Sequence, residues 1–166
     1  WGTDMTQNIE SGNFRRQNNN DNDNKSEDDM LRVVACIDGS RSAPAVCDYA
    51  AWLSRHIDIP MTLLHVLDEE LEHGHHLLDQ AERRVRDTGV SDVIKRQRHG
   101  DLTESLLAIE NETRVLVMGL HGESSSDRDL HIGSQLETVI RSMHRPILLV
   151  PDDYTEPKSA MLAFDG

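Results

Sequence analysis

The stretch that decides the fold is Arg32-Val33-Val34-Ala35-Cys36-Ile37-Asp38-Gly39-Ser40. Its apolar part is short, rich in β-branched residues and continuous after Arg32, which is typical of a strand covered on both faces of a sheet. The Asp-Gly-Ser sequence that ends it predicts a turn. Ser42 then offers an N-cap and Pro44 suits a first helical turn, so we expect a helix directly after the strand.

Four further apolar runs follow, separated by segments with helical spacing. The predicted strands are residues 32–37, 61–66, 90–97, 114–119 and 146–150. The predicted helices are one from Ser42 that Pro60 breaks, and residues 68–87, 101–110 and 133–144. This βαβαβαβαβ order predicts a doubly wound, Rossmann-like α/β domain: a five-stranded, mainly parallel sheet with helices on both faces. Ligands of such sheets bind beyond the carboxyl ends of the strands, where the strand order reverses.

Composition divides the chain into three parts. Residues 1–29 are rich in Asn, Asp, Gln and Ser, so we expect a disordered polar tail. Residues 30–151 are the predicted domain, and residues 152–166 read as a linker followed by an apolar run, 159–164, before Asp165-Gly166. Because the first predicted strand also ends in Asp-Gly, we interpret this run as the first strand of a truncated second copy. The alternative is an accidental apolar tail.

Charge and hydropathy exclude several classes of protein. The net charge is −13 and aromatic residues make up 4% of the chain, so we expect neither nucleic acid nor an anionic membrane as a partner. No apolar run reaches the roughly 18 residues of a membrane span, and no secretory signal is recognisable. We therefore expect a cytoplasmic protein. Cys36 and Cys47 lie in apolar runs and predict small buried side chains rather than a disulfide or a zinc site.

Two features at predicted strand ends are suited to a nucleotide. An acid such as Asp38 can accept a hydrogen bond from a ribose hydroxyl or an adenine amine, although it can instead cap the next helix. Gly119-Leu120-His121-Gly122 and, further on, Gly133-Ser134 before a helix are suited to phosphates, because glycines permit close approach and helix N-termini donate amides. The alternative is a glycine-rich loop that binds nothing.

Together these segments resemble the universal stress protein family. The resemblance spans residues 31–151 and rests on Val34-Ala35-Cys36-Ile37-Asp38-Gly39-Ser40, Leu63-Leu64-His65-Val66, Val117-Met118-Gly119-Leu120-His121-Gly122, Ile132-Gly133-Ser134 and His144-Arg145-Pro146-Ile147-Leu148-Leu149-Val150-Pro151. It implies an adenine nucleotide alpha-hydrolase-like form of the fold. Family members often occur as tandem copies, which agrees with the predicted second copy.

ATP-binding members of this family use an Asp after strand one, backbone at the end of strand two and the pattern Gly-x2-Gly-x9-Gly-Ser/Thr. The resemblance implies these contacts here: Asp38 at the ribose or adenine, the Val66 backbone at the adenine, Met118, Gly119 and Gly122 beside strand four, and Gly133, Ser134 and Gln135 at the phosphates. The implied ligand is ATP or a related adenine nucleotide, with Mg²⁺. No residue is assigned to catalysis or to a metal site of the protein itself.

The glycine loop departs from that pattern. Residues 123–132 place ten positions between Gly122 and Gly133 instead of nine. The loop also carries Glu123, Asp127 and Asp129 against the single base Arg128. Carboxylates near a triphosphate oppose its binding unless a metal ion bridges them.

Three functions remain open. The first is a stress-response module that binds ATP or a related nucleotide as a signal, without catalysis, because no lysine or general base lies near the glycine loop. The second is an interaction half of a tandem stress protein that binds no nucleotide. The third is weak, metal-dependent hydrolysis of ATP. In each case we expect a homodimer, or intrachain pairing with a second copy, through the last strand.

Three other motifs carry little weight. His131-Ile132-Gly133-Ser134 is similar to the His-Ile-Gly-His of nucleotidyl transferases, but it follows the fourth predicted strand and its second His is replaced. The run His73-Gly74-His75-His76, near Glu70, Glu72 and Asp79, could bind a transition metal but is more typical of a solvated helix face. No Gly-x4-Gly-Lys-Ser/Thr loop occurs, which excludes a P-loop ATPase.

Deletion of residues 1–29 tests the predicted tail. Since this segment has almost no apolar residues to bury, its removal leaves the melting temperature within a few degrees of that of the full chain. Circular dichroism melts of the two proteins check this. A large fall in melting temperature would show that the tail packs on the domain.

Overall fold

The computed structural model describes residues 31–67, 74–121, 134–161 and 163. The strands are β1 (Arg32–Cys36), β2 (Met61–Leu67), β3 (Val93–His99), β4 (Thr113–Gly119) and β5 (Ile147–Val150). The helices are α1 (Ala43–Ile57), α2 (Gly74–Asp87), α3 (Leu102–Leu107) and α4 (Ser134–Ser142), with one 3₁₀ turn at Glu110–Glu112. The strands form one sheet in the order β3-β2-β1-β4-β5, and each neighbouring pair is parallel. The predicted fold class is confirmed.

Two apolar clusters cover the two faces of the sheet. Helices α1 and α2 pack on one face against alternate strand residues that include Val33, Leu63 and Val117. Helices α3 and α4 pack on the other face, where Leu64 and Leu116 lie. Because successive side chains of a strand point to opposite faces, a strand buried on both sides must be apolar at most positions. This burial explains the continuous apolar runs that the sequence shows.

The helix ends follow local chemistry, with one correction. Pro44 lies in the first turn of α1, as predicted. Ser42 occupies the N-cap position, but its side chain makes no capping hydrogen bond and its hydroxyl is used elsewhere. Asp101 caps α3, since its Oδ1 accepts from the Glu104 amide at 2.8 Å. Gly89 follows α2 with a φ of 99°, a conformation that favours glycine.

The largest differences from the predicted boundaries concern β3, α3 and α4. Strand β3 begins and ends later in the chain than the predicted residues 90–97. It extends over later positions that are basic because these charges are paired with acidic side chains at the surface. Lys95 lies 2.6 Å from Asp79, and Arg96 lies 2.6 Å from Glu112. Helix α3 is shorter than 101–110, and α4 ends before residue 144. The predicted start of the second helix, residues 68–73, lies outside the described residues.

The chain termini test the predicted domain organisation only in part. Residues 1–30 lie outside the described residues, as do 162 and 164–166. The predicted strand at 159–164 stays a prediction: residues 159–161 and 163 pair with no strand that the structure describes. A strand requires a hydrogen-bonded neighbour. The second copy itself stays a prediction.

Strand β5 lies at an edge of the sheet, as the sequence predicted, with β3 at the other edge. Its pairing with another domain stays a prediction. Within the part of the chain that the structure describes, no helix combines the length and the apolarity needed to cross a membrane.

The two cysteines provide a test of the packing. Cys47 is buried in α1 and Cys36 is half-buried at the end of β1. Burial raises the pKa of each thiol to about 12, and the nearby charges of Asp38 and Asp48 add to the increase. At pH 8 only about one thiol in ten thousand is then the reactive thiolate. We expect iodoacetamide to leave both thiols of the native protein unmodified.

Mass spectrometry after one hour of reaction measures this protection. The same protein unfolded in guanidinium is the control, and it reacts at both positions. Fast labelling of the native chain would show that the sheet around β1 opens readily.

Candidate functional site

The site lies at the carboxyl edge of the sheet, where the winding direction reverses. From β1 the chain proceeds outward to β2 and β3, whereas β4 and β5 lie on the other side of β1. The loops that follow β1 and β4 therefore begin side by side. An opening of this kind is the usual ligand position in an open α/β sheet.

Asp38 is anchored by the turn that follows β1. Its Oδ1 accepts hydrogen bonds from the Ser40 amide at 3.1 Å and the Ser40 hydroxyl at 2.5 Å. The carboxylate thus fixes the turn and does not cap α1, which corrects the alternative role considered from the sequence. Among the described residues, no hydrogen bond uses Oδ2. Asp38 is only half-buried, so this oxygen can accept a hydrogen bond from a ligand.

A buried histidine holds the end of β1 against β2. The His65 Nδ1 lies 2.6 Å from the Ile37 carbonyl oxygen, and the side chain is only 6% exposed. A carbonyl can only accept, so Nδ1 donates and carries the proton. The Ile37 amide donates to the Leu64 carbonyl at 2.8 Å. Both bonds fix the backbone immediately before Asp38, a role that the sequence did not assign to His65.

Val66 and Met118 form the apolar side of the opening. Val66 is half-buried near the end of β2, and Met118 is 8% exposed near the end of β4. Both pack with Cys36 of β1 in the cluster beneath α3 and α4. Asp38 follows Cys36 by two residues, and its charge contributes to the raised pKa of that thiol. The structure thus brings Asp38, Val66 and Met118 to the ends of three neighbouring strands, as expected.

Gly119 ends β4 at a close approach to the start of α1. A Cβ on this glycine would lie 2.8 Å from the Ser42 Cβ and 3.1 Å from its Oγ. No ordinary side chain tolerates such contacts, and Ser42 is only 1% exposed. The glycine is therefore required by the packing of β4 against α1, in addition to the ligand role that the sequence predicted.

A polar cluster that the sequence did not reveal lies beside Gly119. The Ser42 hydroxyl donates to Asp152 Oδ1 at 2.6 Å, and the Arg41 Nε lies 2.5 Å from Asp152 Oδ2. His121 contributes an imidazole Nδ1 that lies 3.5 Å from Oδ1. The hydrogen bond from Ser42, and then the charge of Arg41, hold the pKa of Asp152 below its usual range.

This cluster contains a Ser, a His and an Asp, but not in a nucleophilic arrangement. The Ser42 hydroxyl donates to the carboxylate rather than to the imidazole, and its other contact is the His121 backbone carbonyl at 3.2 Å. A serine nucleophile needs a neighbouring base that can take its proton and access to the substrate. Ser42 is buried, and the group that accepts its hydrogen bond is a carboxylate whose pKa is held below its usual range and which is therefore a weak base. The geometry favours a structural role for these three residues.

The remaining predicted residues are only partly placed. Ser134 and Gln135 begin α4, and both are exposed, so their side chains face away from the core. Gly122, Gly133 and the acidic residues between them lie outside the described residues. His73 does as well, and His76 is exposed on α2. The described residues include no group of three or more His, Cys, Asp or Glu side chains that could hold a metal ion.

Fold and site together define a doubly wound α/β domain whose candidate site lies where the winding direction reverses, between β1 and β4. The profile of the universal stress protein family matches residues 30–86 and 68–151, so the chain belongs to this family. A universal stress protein of Synechocystis, Slr1230, is 24% identical to it over 82% of this chain and 61% of its own length. The chain thus spans less than two thirds of that relative.

Solved structures agree with this assignment. A universal stress protein crystallised in complex with cAMP is 25% identical and superposes with a TM-score of 0.62, covering 74% of this chain and 98% of its own. A universal stress protein from Archaeoglobus fulgidus in complex with dAMP is 18% identical with a TM-score of 0.58, covering 72% and 96%. The second likeness shows the common fold.

The contact between β4 and α1 can be measured with a double-mutant cycle. Gly119→Ala forces a methyl group against Ser42 and should lower the free energy of unfolding by about 1–3 kcal/mol through overpacking. In a Ser42→Gly background the obstructing Cβ is absent, so the same change should cost much less. Urea unfolding of the four proteins gives the coupling. An equal cost in both backgrounds would show that Gly119 does not meet Ser42.

Proposed function

We propose that this domain is a stress-response module that binds an adenine nucleotide as a signal at the carboxyl ends of β1, β2 and β4. One observation carries the proposal: Asp38 lies at the switch point with Oδ1 fixed by Ser40 and with Oδ2 free of hydrogen bonds to the described residues. A carboxylate held in this way is preorganised to accept hydrogen bonds from a ribose or an adenine amine. The ligands of the two related stress proteins, cAMP and dAMP, support the same class.

The described residues fit such a ligand. Met118 and Val66 offer apolar contact for a base, and the β2 backbone ends beside them. The N-terminus of α4, at Ser134 and Gln135, supplies backbone amides that have no partner within the helix, of the kind that bind phosphate. The glycines at 122 and 133 extend this cradle in the sequence pattern.

ATP with Mg²⁺ is the finer version of this proposal. The loop acids Glu123, Asp127 and Asp129 oppose a triphosphate through like charge, and a hard divalent cation with oxygen ligands relieves that repulsion. A bound Mg²⁺ would supply charge neutralisation between the phosphates and these carboxylates. We propose binding without catalysis, since Ser42 is buried and no lysine lies in the loop.

A second candidate is an interaction half of a longer stress protein whose pocket is empty. Two observations favour it: strand β5 is an edge of the sheet, and the chain spans 61% of the Synechocystis relative. The extra residue and the acids of the glycine loop agree with it as well. Either function is compatible with a homodimer or an intrachain pair through β5.

Titration calorimetry with Mg·ATP and with cAMP distinguishes these functions. Asp38→Ala removes a charge-assisted hydrogen bond and should weaken binding by about 1–3 kcal/mol. Gly133→Val should block the phosphates sterically and weaken binding by more than Asp38→Ala does. Asp87→Ala is the matched control, because this exposed acid ends α2 at the opposite edge of the sheet and should leave affinity unchanged.

Reversal of the charge of a loop acid should raise the affinity for nucleotide, whereas Asp38→Ala and Gly133→Val lower it. Glu123→Lys and Asp127→Lys each replace a repelling carboxylate with an attracting ammonium, so affinity for ATP should rise, and rise less at high salt. Asp87→Lys makes the same change of charge away from the loop. Binding by the lysine variants alone would describe a nucleotide fold inactivated by its loop charge. If no variant binds, the interaction module replaces our proposal.

A further inference from the structure

The hydrogen-bond ladder between β1 and β2 stops one step before the end of β2. The last paired positions are Cys36 and Leu64, and the Ile37 amide still donates to the Leu64 carbonyl at 2.8 Å. In a regular parallel ladder the next bond would run from the Val66 amide to the Ile37 carbonyl. That bond is not formed between these two described residues.

The main-chain groups of Val66 face the side of β2 on which β1 has ended. Alternate residues of a central strand bond to opposite neighbours. Leu64 bonds to β1, whereas the Leu67 carbonyl accepts from the Gly100 amide, just beyond β3, at 2.9 Å. Val66 is in phase with Leu64, so its N–H and C=O point towards β1. The described residues give neither group a hydrogen-bond partner.

The His65 imidazole takes the carbonyl that the missing bond would use. Its Nδ1 donates to the Ile37 carbonyl at 2.6 Å, and the side chain is buried. The carbonyl is therefore directed at the ring and not at the Val66 amide. It also belongs to the peptide bond that leads into Asp38, so one contact both fixes the approach to this acid and leaves the neighbouring amide free.

We propose that His65 is a positioning residue for the nucleobase: by holding the Ile37 carbonyl, it keeps the N–H and C=O of Val66 available to the edge of an adenine. This inference rests on the proposed function. Adenine carries an amino donor beside a ring-nitrogen acceptor, and the two free groups of Val66 are the complementary pair. Unpaired main-chain groups at a half-buried position are costly, and a base that bonds to both removes that cost.

Three variants test the imidazole N–H. His65→Leu removes the donor, so the Ile37 carbonyl can accept from the Val66 amide and the ladder can close. Calorimetry with cAMP and with Mg·ATP should then show affinity about five-fold lower, the usual contribution of one hydrogen bond. His65→Asn keeps an N–H donor near the position of Nδ1 and should restore binding. Leu63→Val is the matched control, because it shortens a buried side chain on the same face of β2 and should bind like wild type.

Amide exchange of Val66 provides a readout that a merely structural role of His65 would not produce. In ligand-free wild type this amide should exchange much faster than that of Leu64, and nucleotide should slow it. In ligand-free His65→Leu the Val66 amide should become protected, since it now donates to Ile37. General destabilisation of β2 has the opposite effect, because it speeds exchange.

The outcomes separate this inference from the function on which it rests. If wild type binds neither nucleotide, the proposed function fails and the inference fails with it. If wild type binds and His65→Leu binds equally well, the inference alone is overturned. It is also overturned if His65→Asn binds no better than His65→Leu. Strong protection of the Val66 amide in ligand-free wild type would overturn it even if His65→Leu does not fold, because the amide would not be free.

Discussion

Strand β1 is enclosed on both edges and both faces, and the rest of the structure depends on this burial. It pairs with β2 on one side and β4 on the other, and Val33, Val34 and Ala35 are at most 1% exposed. A strand in this position cannot place a charge inside the sheet. The first carboxylate it can present is therefore Asp38, beyond its end. Both halves of the chain wind outward from β1, which makes the loops after β1 and β4 neighbours.

The sequence predicted the central strands well for the same physical reason. Burial on two faces demands an apolar residue at most positions, and the bounds of β1, β2 and β4 agree with the predicted bounds to within one residue at each end. Strand β3 was predicted less well. It is an edge strand, and its basic side chains form ion pairs with α2 and with Glu112. Apolar residues therefore indicate where β3 begins in the sequence but not where it ends.

The role of a site residue could be predicted from the sequence only where that role follows from the residue's position at the end of a strand. Asp38 and Gly119 lie at strand ends. The residue type of Asp38 indicates a polar contact, and that of Gly119 indicates a close approach of another group to the backbone. The roles of His65, Ser42 and Asp152 arise from contacts with partners 28 to 110 positions away in the sequence. A single sequence shows which residue can donate or accept, but the fold decides its partner. For this reason the polar cluster beside Gly119 appeared only in the structure.

The two edges of the sheet have different chemistry. Strand β3 carries Lys95, Arg96 and Arg98, whereas β5 offers the half-buried Ile147, Leu148 and Leu149. Charged side chains on an edge disfavour the addition of a further strand. Each domain thus has one edge, β5, that permits the addition of a strand and one edge, β3, whose charges disfavour it. If two domains met through β5, only the charged β3 edges would remain outside, so strand addition would stop at two domains and would not extend into a fibre.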